Sequence, residues 1–461
     1  MTEIRSGMRE SDATRIGTIS TAPGGVRSQS AAALIDPDAV VEFAGALVRL
    51  RTVNEPTAAV VEQPAAELVA ATMRAFGWAV TVSDIAPGRP NVIGVIDGQI
   101  VDGKGAGRTL MFEGHTDVVT EGDPAGWSFD PYAGDVVDGM LRGRGSADMK
   151  GGVAAMIHAA RAVQRCGFTG RIIVGALADE EGMMLGAKAF ARSDLARSGI
   201  DGVIVCEPEA GEVCATSKGA VRIRIEFSGV MAHGAMPQIG RNPIPALGEF
   251  LVGLSGIQRK MQSDAGTHPE LGDFYLTPTV VDAGSAEQMN VIPASAVVHI
   301  DARTVPATPH PELLAQVRAL CATVATEHGL TYVLDVIDDR PPVDTPRYAP
   351  VVRALMNAHR QITGVEPEFG GVPGTTDGTI LTRDAGLETV VYGPGGKWVA
   401  HQVDEMCAAV DIVTAARVYA EAAERFLADA ISGDMAAAVI RRSSAADAAG
   451  AARAPEEGAA Q

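Results

Sequence analysis

The feature that most constrains the fold of this chain is a regular alternation of short apolar runs with helical segments. Four such runs are "PNVIGVID" at 90–97, "RTLMFEG" at 108–114, "GRIIVGALADEE" at 170–181 and "DGVIVCEPE" at 201–209. Helical segments such as "KGGVAAMIHAARAVQRCG" lie between them. Strands that alternate with helices predict an α/β fold with a mostly parallel sheet and helices on both faces.

From about residue 218 the pattern changes, which indicates that a second unit interrupts the first. "AVRIRIEFSGV" at 220–230 alternates apolar and polar residues, as a half-exposed strand does. The order of elements that follows is β-α-β-β-α-β, which resembles a ferredoxin-like α+β unit. The predicted boundaries are 35–217 with 340–432 for a discontinuous α/β domain, 218–339 for the inserted domain, and 1–34 with 433–461 for two flexible tails.

Composition excludes several classes of function. The formal net charge is -19, and an acidic surface repels phosphate backbones, so we expect no nucleic-acid partner. The five cysteines form no CxxC pair and are odd in number, which favours free thiols in a reducing compartment. The sequence has no 18-residue apolar run and its first residues lack the apolar core of a signal peptide. We therefore expect a cytoplasmic protein that does not bind membranes.

Histidines and carboxylates follow the predicted strands, where an open α/β sheet binds its ligands. They are His115 with Asp117, Asp148, Glu180 with Glu181, Glu207, and His401 after the last strand. Each has an ordinary explanation by itself, such as a helix cap or an acidic turn. Their joint placement is the informative feature, because imidazoles and carboxylates at one rim are the ligands of a divalent metal.

Five motifs carry a resemblance to a known family. "GHTDVV", "GRGSADMKGG", "ADEEG", "CEPE" and "HQVDE" resemble, in order and spacing, the motifs of the M20 metallohydrolases, which include acetylornithine deacetylase-like and succinyl-diaminopimelate desuccinylase-like enzymes. The resemblance runs from about residue 38 to 431. It implies a zinc-exopeptidase-like catalytic domain at 35–217 and 340–432, and a ferredoxin-like lid at 218–339 through which such chains form homodimers.

The resemblance also implies a ligand set for two divalent metals, with zinc expected first and cobalt or manganese as alternatives. His115 would bind one metal and His401 the other, and Asp148 would bridge them. Glu181 and Glu207 would each complete one site.

Further residues receive roles in the reaction from the same resemblance. Asp117 would accept the second ring N–H of His115 and so fix its tautomer. Glu180 would be the general base that takes a proton from a metal-activated water. His233 would reach across the dimer to stabilise an oxyanion.

The remaining site residues that the resemblance implies concern the substrate. Arg303 and Asn290 match lid positions that contact substrate, and Arg303 suits a carboxylate through its paired donors. Thr375 and Asp377 in "GVPGTTDGT" match a loop at the floor of the site.

We therefore expect a hydrolase that cleaves the amide bond of an N-acyl amino acid or small peptide with a free carboxylate. Two alternatives stay open: a hydrolase of another C–N bond, such as that of an aromatic amine or a carbamoyl group, and a non-catalytic binding protein. The presence of Glu180 beside Glu181 argues against the second alternative.

Overall fold

The computed structural model describes residues 29–55, 61–99 and 107–428. Within these ranges, no helix combines the length and the apolar character needed to cross a bilayer. The helices are α1 Pro37–Val48, α2 Gln63–Ala75, α3 Lys150–Cys166, α4 Leu185–Ala191, α5 Pro243–Ala265, α6 His310–Glu327, α7 Pro350–Thr363, α8 Asp377–Ala385 and α9, which covers 409–428.

The described strands belong to four sheets. In chain order they are β1 Ala79–Ala86, β2 Arg89–Asp97, β3 Thr109–His115, β4 Val136–Val137, β5 Met140–Arg142, β6 Arg171–Leu177, β7 Gly202–Val205, β8 Val213–Ser217, β9 Gly219–Ser228, β10 Ala232–His233, β11 Tyr275–Ala283, β12 Val291–Ile292, β13 Ser295–Thr304, β14 Thr331–Arg340, β15 Val343–Asp344, β16 Phe369–Val372, β17 Thr389–Val391 and β18 Met406–Ala408.

The largest sheet is parallel at its centre and antiparallel towards both sides. Its strand order is β1-β2-β6-β3-β7-β17-β8-β15, and β16 pairs with β8 in parallel. The neighbours β6, β3, β7 and β17 all run in the same direction. Their carboxyl ends therefore share one edge, so residues that follow these strands meet there. This agrees with the predicted α/β fold with a mostly parallel centre.

Helices cover both faces of this sheet. Strands β3 and β7 are buried along their whole length, as expected for the centre of a covered sheet. One apolar core packs α1, α2, α3, α7 and α9 against one face, and a second packs α4 and α8 against the other. Gly167 has a φ of +78°, so a residue that tolerates positive φ ends α3 where the sequence suggested.

Residues 219–340, which we call the inserted unit, form a separate antiparallel sheet with the order β11-β13-β9-β14. Helices α5 and α6 pack against it around an apolar core of its own. This is the predicted β-α-β-β-α-β arrangement. The unit leaves and rejoins the large sheet at adjacent strands, because β8 pairs with β15 through Ser217 and Val343.

The predicted tails fall mostly outside the described residues. Residues 1–28 and 429–461 are among those that the structure does not describe. Ala31–Leu34 form a short 3-10 helix in which Ala31 is fully buried and donates to the Glu424 carboxylate. Packing against the core therefore extends into the segment that the sequence assigned to the first tail.

Candidate active site

His115 and Asp117 form the innermost part of the site. His115 is the last residue of β3 and its side chain is only 1% exposed. Its Nδ1 lies 2.9 Å from the backbone carbonyl of Asp117 and 3.3 Å from the Asp117 carboxylate. The carbonyl is therefore the closer acceptor, and the carboxylate that we expected in this role assists it. Both acceptors direct Nε2 of the ring towards the neighbouring loops.

The Asp117 carboxylate also fixes the loop after β6. Its two oxygens accept the backbone N–H groups of Glu180 at 3.2 Å and of Glu181 at 3.1 Å. Asn54 donates to it at 2.7 Å. Burial raises the pKa of Asp117, but its hydrogen bonds, first that with His115, outweigh burial and lower the pKa overall. Asp117 thus stays charged and holds three elements of the site together.

Asp148 lies between the two histidines. Its Oδ1 is 3.3 Å from Nε2 of His115, and its Oδ2 is 3.3 Å from Nε2 of His401. Asp148 was expected to follow a strand of the large sheet. Instead it lies between β5, which belongs to the small sheet β18-β5-β4, and the start of α3. The small sheet carries this loop to the site because β5 pairs with β18, just beyond the segment that bears His401.

The other predicted ligands complete a ring of carboxylates. Glu207, two residues after β7, is 3.2 Å from Nε2 of His115. Glu181 is 3.0 Å from Nε2 of His401. Glu180 is farther from the imidazoles, with its nearest contact to Nε2 of His115 at 4.0 Å. Glu180 is thus close to the ring without being one of its nearest members.

The pKa values of the groups in this ring indicate that the site needs positive charge. Burial, followed by the charge of Asp148, raises the pKa of Glu207 to about 8. Burial also raises the pKa values of Glu180 and Glu181, and neighbouring carboxylates add to it. Hydrogen bonds to Asp148 and Glu181 raise the pKa of His401 to about 10. Carboxylates that favour protons and histidines that favour positive charge both indicate unbalanced negative charge.

The donor set fits divalent metals. Nε2 of His115 is buried without a hydrogen-bond partner, although three carboxylates surround it. Ligand atoms of His115, Asp148 and Glu181 lie within 4.8 Å of one another, as do those of His115, Glu180 and Glu207. Nitrogen and oxygen ligands in such groups suit zinc and similar ions.

Three predicted residues lie apart from this ring on the inserted unit. His233 ends β10 and is exposed, and its Nδ1 accepts the Ala235 N–H at 3.0 Å. Asn290 is exposed, and it lies beside His233 because its backbone carbonyl accepts the N–H of Gly234. Arg303 on β13 is paired with Asp301 at 2.6 Å. In the described residues of this single chain, none of the three forms a hydrogen bond or ion pair with the ring.

Thr375 and Asp377 connect with the site in different ways. Thr375 accepts a hydrogen bond at 3.2 Å from Arg340, which also donates to the carbonyl of Gly182 beside the Glu180–Glu181 loop. Asp377 begins α8 and is fully buried against Glu113. Burial, followed by the charge of Glu113, raises the pKa of Asp377. Among the described residues, no oxygen of either carboxylate has a hydrogen-bond partner, so the two groups form a buried acidic pair beside His115.

Sequence reasoning missed two residues that position this site. Glu405 belongs to the quoted motif "HQVDE" but received no role, although it is buried and holds the loop of Asp148 through backbone N–H groups. Arg340 lies at the end of β14, where it joins the inserted unit to the Thr375 loop. The available signal for Arg340 was its charge at the boundary of a predicted domain. Its partners are distant in sequence, so the sequence did not indicate its role.

The sequence of this chain is similar to those of known proteins. A model of peptidase family M20/M25/M40 matches residues 111–425. A succinyl-diaminopimelate desuccinylase from Bordetella petrii is 31% identical over 335 residues, which are 70% of this chain and 84% of that protein.

Solved structures share the fold. Aminopeptidase PepT from Bacillus cereus is 19% identical with a TM-score of 0.68, over 85% of this chain and 99% of that one. The YXEP protein of Bacillus subtilis, described as a dinuclear metal binding peptidase from the M20 family, is 16% identical with a TM-score of 0.63, over 85% and 98%. The family resemblance and the fold class are confirmed. The chain belongs to peptidase family M20/M25/M40 and is a hydrolytic enzyme that acts on amide bonds.

Proposed function

We propose that this enzyme uses two divalent metal ions to hydrolyse the amide bond of N-acyl amino acids or small peptides that carry a free carboxylate. His115 and Glu207 would hold one metal, and His401 and Glu181 the other. Asp148 would bridge them. Zinc is the first expectation, because the nitrogen and oxygen ligands suit it, and cobalt and manganese are the alternatives.

The observation that carries the proposal is the position of Asp148. Its two oxygens face two different histidines, each at 3.3 Å. The structure offers a second support, since among the described residues the contacts within 4.0 Å pair Glu207 with His115 at 3.2 Å and Glu181 with His401 at 3.0 Å. A carboxylate with one oxygen towards each half of the site is the arrangement expected of a bridging ligand.

Bound metals would supply Lewis-acid polarisation of the amide carbonyl and a lower pKa for water. Glu180 would accept a proton from the attacking water and transfer it to the leaving nitrogen. One feature of the chain supports this role: the Glu180 carboxylate lies farther from Nε2 of His115 than the carboxylates of Asp148 and Glu207 do.

The substrate class rests on the chemistry of the lid and on the desuccinylase relative. Arg303 carries paired donors that suit a substrate carboxylate, although in this chain it is bound to Asp301. Thr375, held by Arg340 beside the Glu180–Glu181 loop, and Asp377 at the start of α8 would orient the substrate. The name of the relative implies a substrate with several carboxylates, which favours an acidic acyl amino acid as the substrate of this enzyme.

We also propose that the domain predicted at 218–339, which corresponds to the inserted unit at 219–340, is a lid through which two chains form a dimer. His233 and Asn290 are exposed neighbours on this unit and would serve the site of the partner. Exposed apolar residues on its outer surface, among them Val252 at 75% exposure, support a covered face. The absence of disulfides among five described cysteines supports a cytoplasmic location.

The test is a substrate panel with reconstituted metals. Metal-free protein is loaded with zinc, cobalt or manganese, and amine release is measured for N-succinyl, N-acetyl and N-carbamoyl amino acids and for dipeptides. We expect hydrolysis of acyl amino acids, and a much higher KM when the substrate carboxylate is converted to an amide. Turnover of carbamoyl compounds or aromatic amides alone would favour the alternative C–N bond. Full activity without metal would contradict the proposal.

A further inference from the structure

A lysine with a side chain that is 12% exposed lies among three potential metal ligands outside the catalytic ring. Nζ of Lys397 is 2.6 Å from Glu209, 2.8 Å from Glu212 and 3.4 Å from the carbonyl of Gly371. The Cys214 thiol donates to the same Glu209 carboxylate at 3.3 Å. Glu209, Glu212 and Cys214 have the spacing of a cation site. Lys397 supplies the positive charge of that site, so the cluster is satisfied without a metal.

The cluster lies between two loops, each of which carries a proposed metal ligand. Lys397 is four residues before His401, in the segment 392–405 that connects β17 and β18 without a helix or strand. Glu209 is two residues after Glu207, in the loop between β7 and β8. The ion pair between Lys397 and Glu209 therefore ties the loop of one proposed metal ligand to the loop of another.

His401 needs such support more than His115 does. The His115 side chain is 1% exposed, continues a buried strand and has its Nδ1 fixed by Asp117. The His401 side chain is 51% exposed, and its φ is +64°, in the left-handed region that costs a non-glycine residue energy. Among the described residues, the hydrogen bonds and ion pairs of the His401 imidazole are with Asp148 and Glu181.

The segment around His401 has anchors on both sides. After His401, Asp404 accepts the N–H of Ser128, and the Glu405 carboxylate binds the Asp148 loop. Before His401, Trp398 is exposed, so apolar packing contributes little there. Lys397 is the charged anchor on that side, and burial of Glu209 limits screening of the pair by solvent.

We infer that Lys397, held by Glu209 and Glu212, is a positioning residue that fixes the His401 loop and thereby sets the affinity of the metal site that His401 completes. This inference rests on the proposed role of His401 as a metal ligand. Lys397 itself touches neither substrate nor metal. Its removal is expected to weaken one metal site by about 10–100-fold, the range for residues that orient a ligand, and to leave the other unchanged.

The experiment is a titration of metal-free protein with Co²⁺, followed by its visible absorption, in the full chain. His401→Ala is the benchmark, because it identifies the binding phase that depends on His401. Lys397→Met should weaken that same phase, and Lys397→Arg should recover most of the affinity because an arginine keeps the ion pair. The triple variant Lys397→Met with Glu209→Gln and Glu212→Gln should behave like Lys397→Met, since it removes the tether without leaving buried carboxylates unpaired.

The outcomes separate the two proposals. If His401→Ala binds Co²⁺ like the unmodified protein, the proposed ligand role fails. If His401→Ala loses a phase but Lys397→Met leaves both phases unchanged or weakens both equally, the positioning role of Lys397 is overturned. Thermal unfolding verifies that each variant folds. Should Lys397→Met not fold, Glu212→Gln removes the more exposed partner, and a weaker effect on the same phase is expected.

Discussion

The Glu405 carboxylate accepts a hydrogen bond from the backbone N–H of Asp148 at 3.2 Å. The same oxygen accepts the N–H groups of Gly145 and Ala147 at 2.9 Å and 3.0 Å, and the other oxygen pairs with Arg144. One buried side chain thus determines where the loop of the proposed bridging ligand lies. Because Glu405 comes from the far end of the sequence, the contact also joins the two halves of the catalytic framework.

Glu405→Ala should therefore damage both stability and metal binding. It leaves Arg144 buried without its partner, which typically costs about 3–5 kcal/mol, and it frees three backbone N–H groups of the Asp148 loop. Urea unfolding and metal analysis measure the two effects. Glu405→Gln is the matched control, since it keeps an acceptor oxygen and should retain more of both. Equal metal content in Glu405→Ala and the unmodified protein would contradict the positioning role.

Glu180→Gln should separate catalysis from metal binding. The substitution removes the proposed base but keeps the size of the side chain, so kcat should fall by about 10²–10⁴-fold. Metal content should stay the same, because Glu180 is not among the nearest contacts of the histidines. Glu181→Gln is the contrast and should lose metal. A Glu180→Gln enzyme with normal kcat would reject the role of general base.

Asp117→Asn should lower kcat/KM by about 10–100-fold, the usual effect of changing a residue that orients ligands. An amide offers one acceptor oxygen, whereas the carboxylate serves the N–H groups of Glu180 and Glu181 and the side chain of Asn54. Asn54→Ala removes only one of these contacts, so its effect should be smaller. Steady-state kinetics on a shared substrate compare the two, and the reverse order of effects would be inconsistent with this account.

His233→Ala should lower kcat by about 10²–10³-fold if the imidazole stabilises an oxyanion. A mixture of the His233→Ala and Glu180→Gln proteins tests whether His233 acts in the active site of the partner chain. Random exchange of subunits should restore about a quarter of the sites, because a mixed dimer contains one site with both residues intact. Size-exclusion chromatography with light scattering verifies the dimer. No recovery of activity in an exchanged mixture would indicate that His233 does not act in the partner.

The metal-free protein should lose stability as the pH rises. The pKa values of Glu207 and Glu113 are raised to about 8 by burial in the folded chain, against 4.5 as the ordinary value. The folded state therefore holds these protons more tightly than the unfolded state does. Their contribution to the free energy of unfolding is complete below pH 4.5 and is lost as the pH approaches about 8. His401, whose pKa is raised from 6.5 to about 10, also stabilises the folded state less as the pH rises.

Urea unfolding in a chelator, at several pH values between about 6 and about 8, measures this trend. The metal-loaded protein is the control and should show a flatter dependence, because metal charge replaces the protons, and metal binding should release protons. Stability of the metal-free protein that increases over this range would contradict the assignment of these carboxyl groups.

The sequence predicted which side chains come together at the candidate site better than it predicted the contacts that support them. His115, Glu181 and Glu207 follow neighbouring parallel strands, and the geometry of an open sheet brings such positions together. Gly167 ends α3 as expected, since glycine tolerates the positive φ that this helix end requires. Local patterns of this kind depend on near neighbours in the chain, which a single sequence displays.

Contacts between distant segments left no such pattern. Asp148 is positioned by Glu405, and Lys397 by Glu209, each across more than 180 residues of chain. Charged residues in loops are ordinarily solvated, so nothing near Lys397 indicates that it lies between two carboxylates. The same holds for Arg340, whose role depends on how the inserted unit meets the Thr375 loop.

The pairing of Ser217 with Val343 has a consequence for how such chains diversify. An insertion that begins and ends at neighbouring strands leaves the surrounding sheet complete without it, as for insertions at closely spaced surface positions. A tight turn across this pair would close the chain, while the central strands kept their order. The inserted unit can therefore change in length or be replaced without changing the order of the central strands. New substrates and assemblies can then evolve while the strands that carry the proposed metal ligands stay the same.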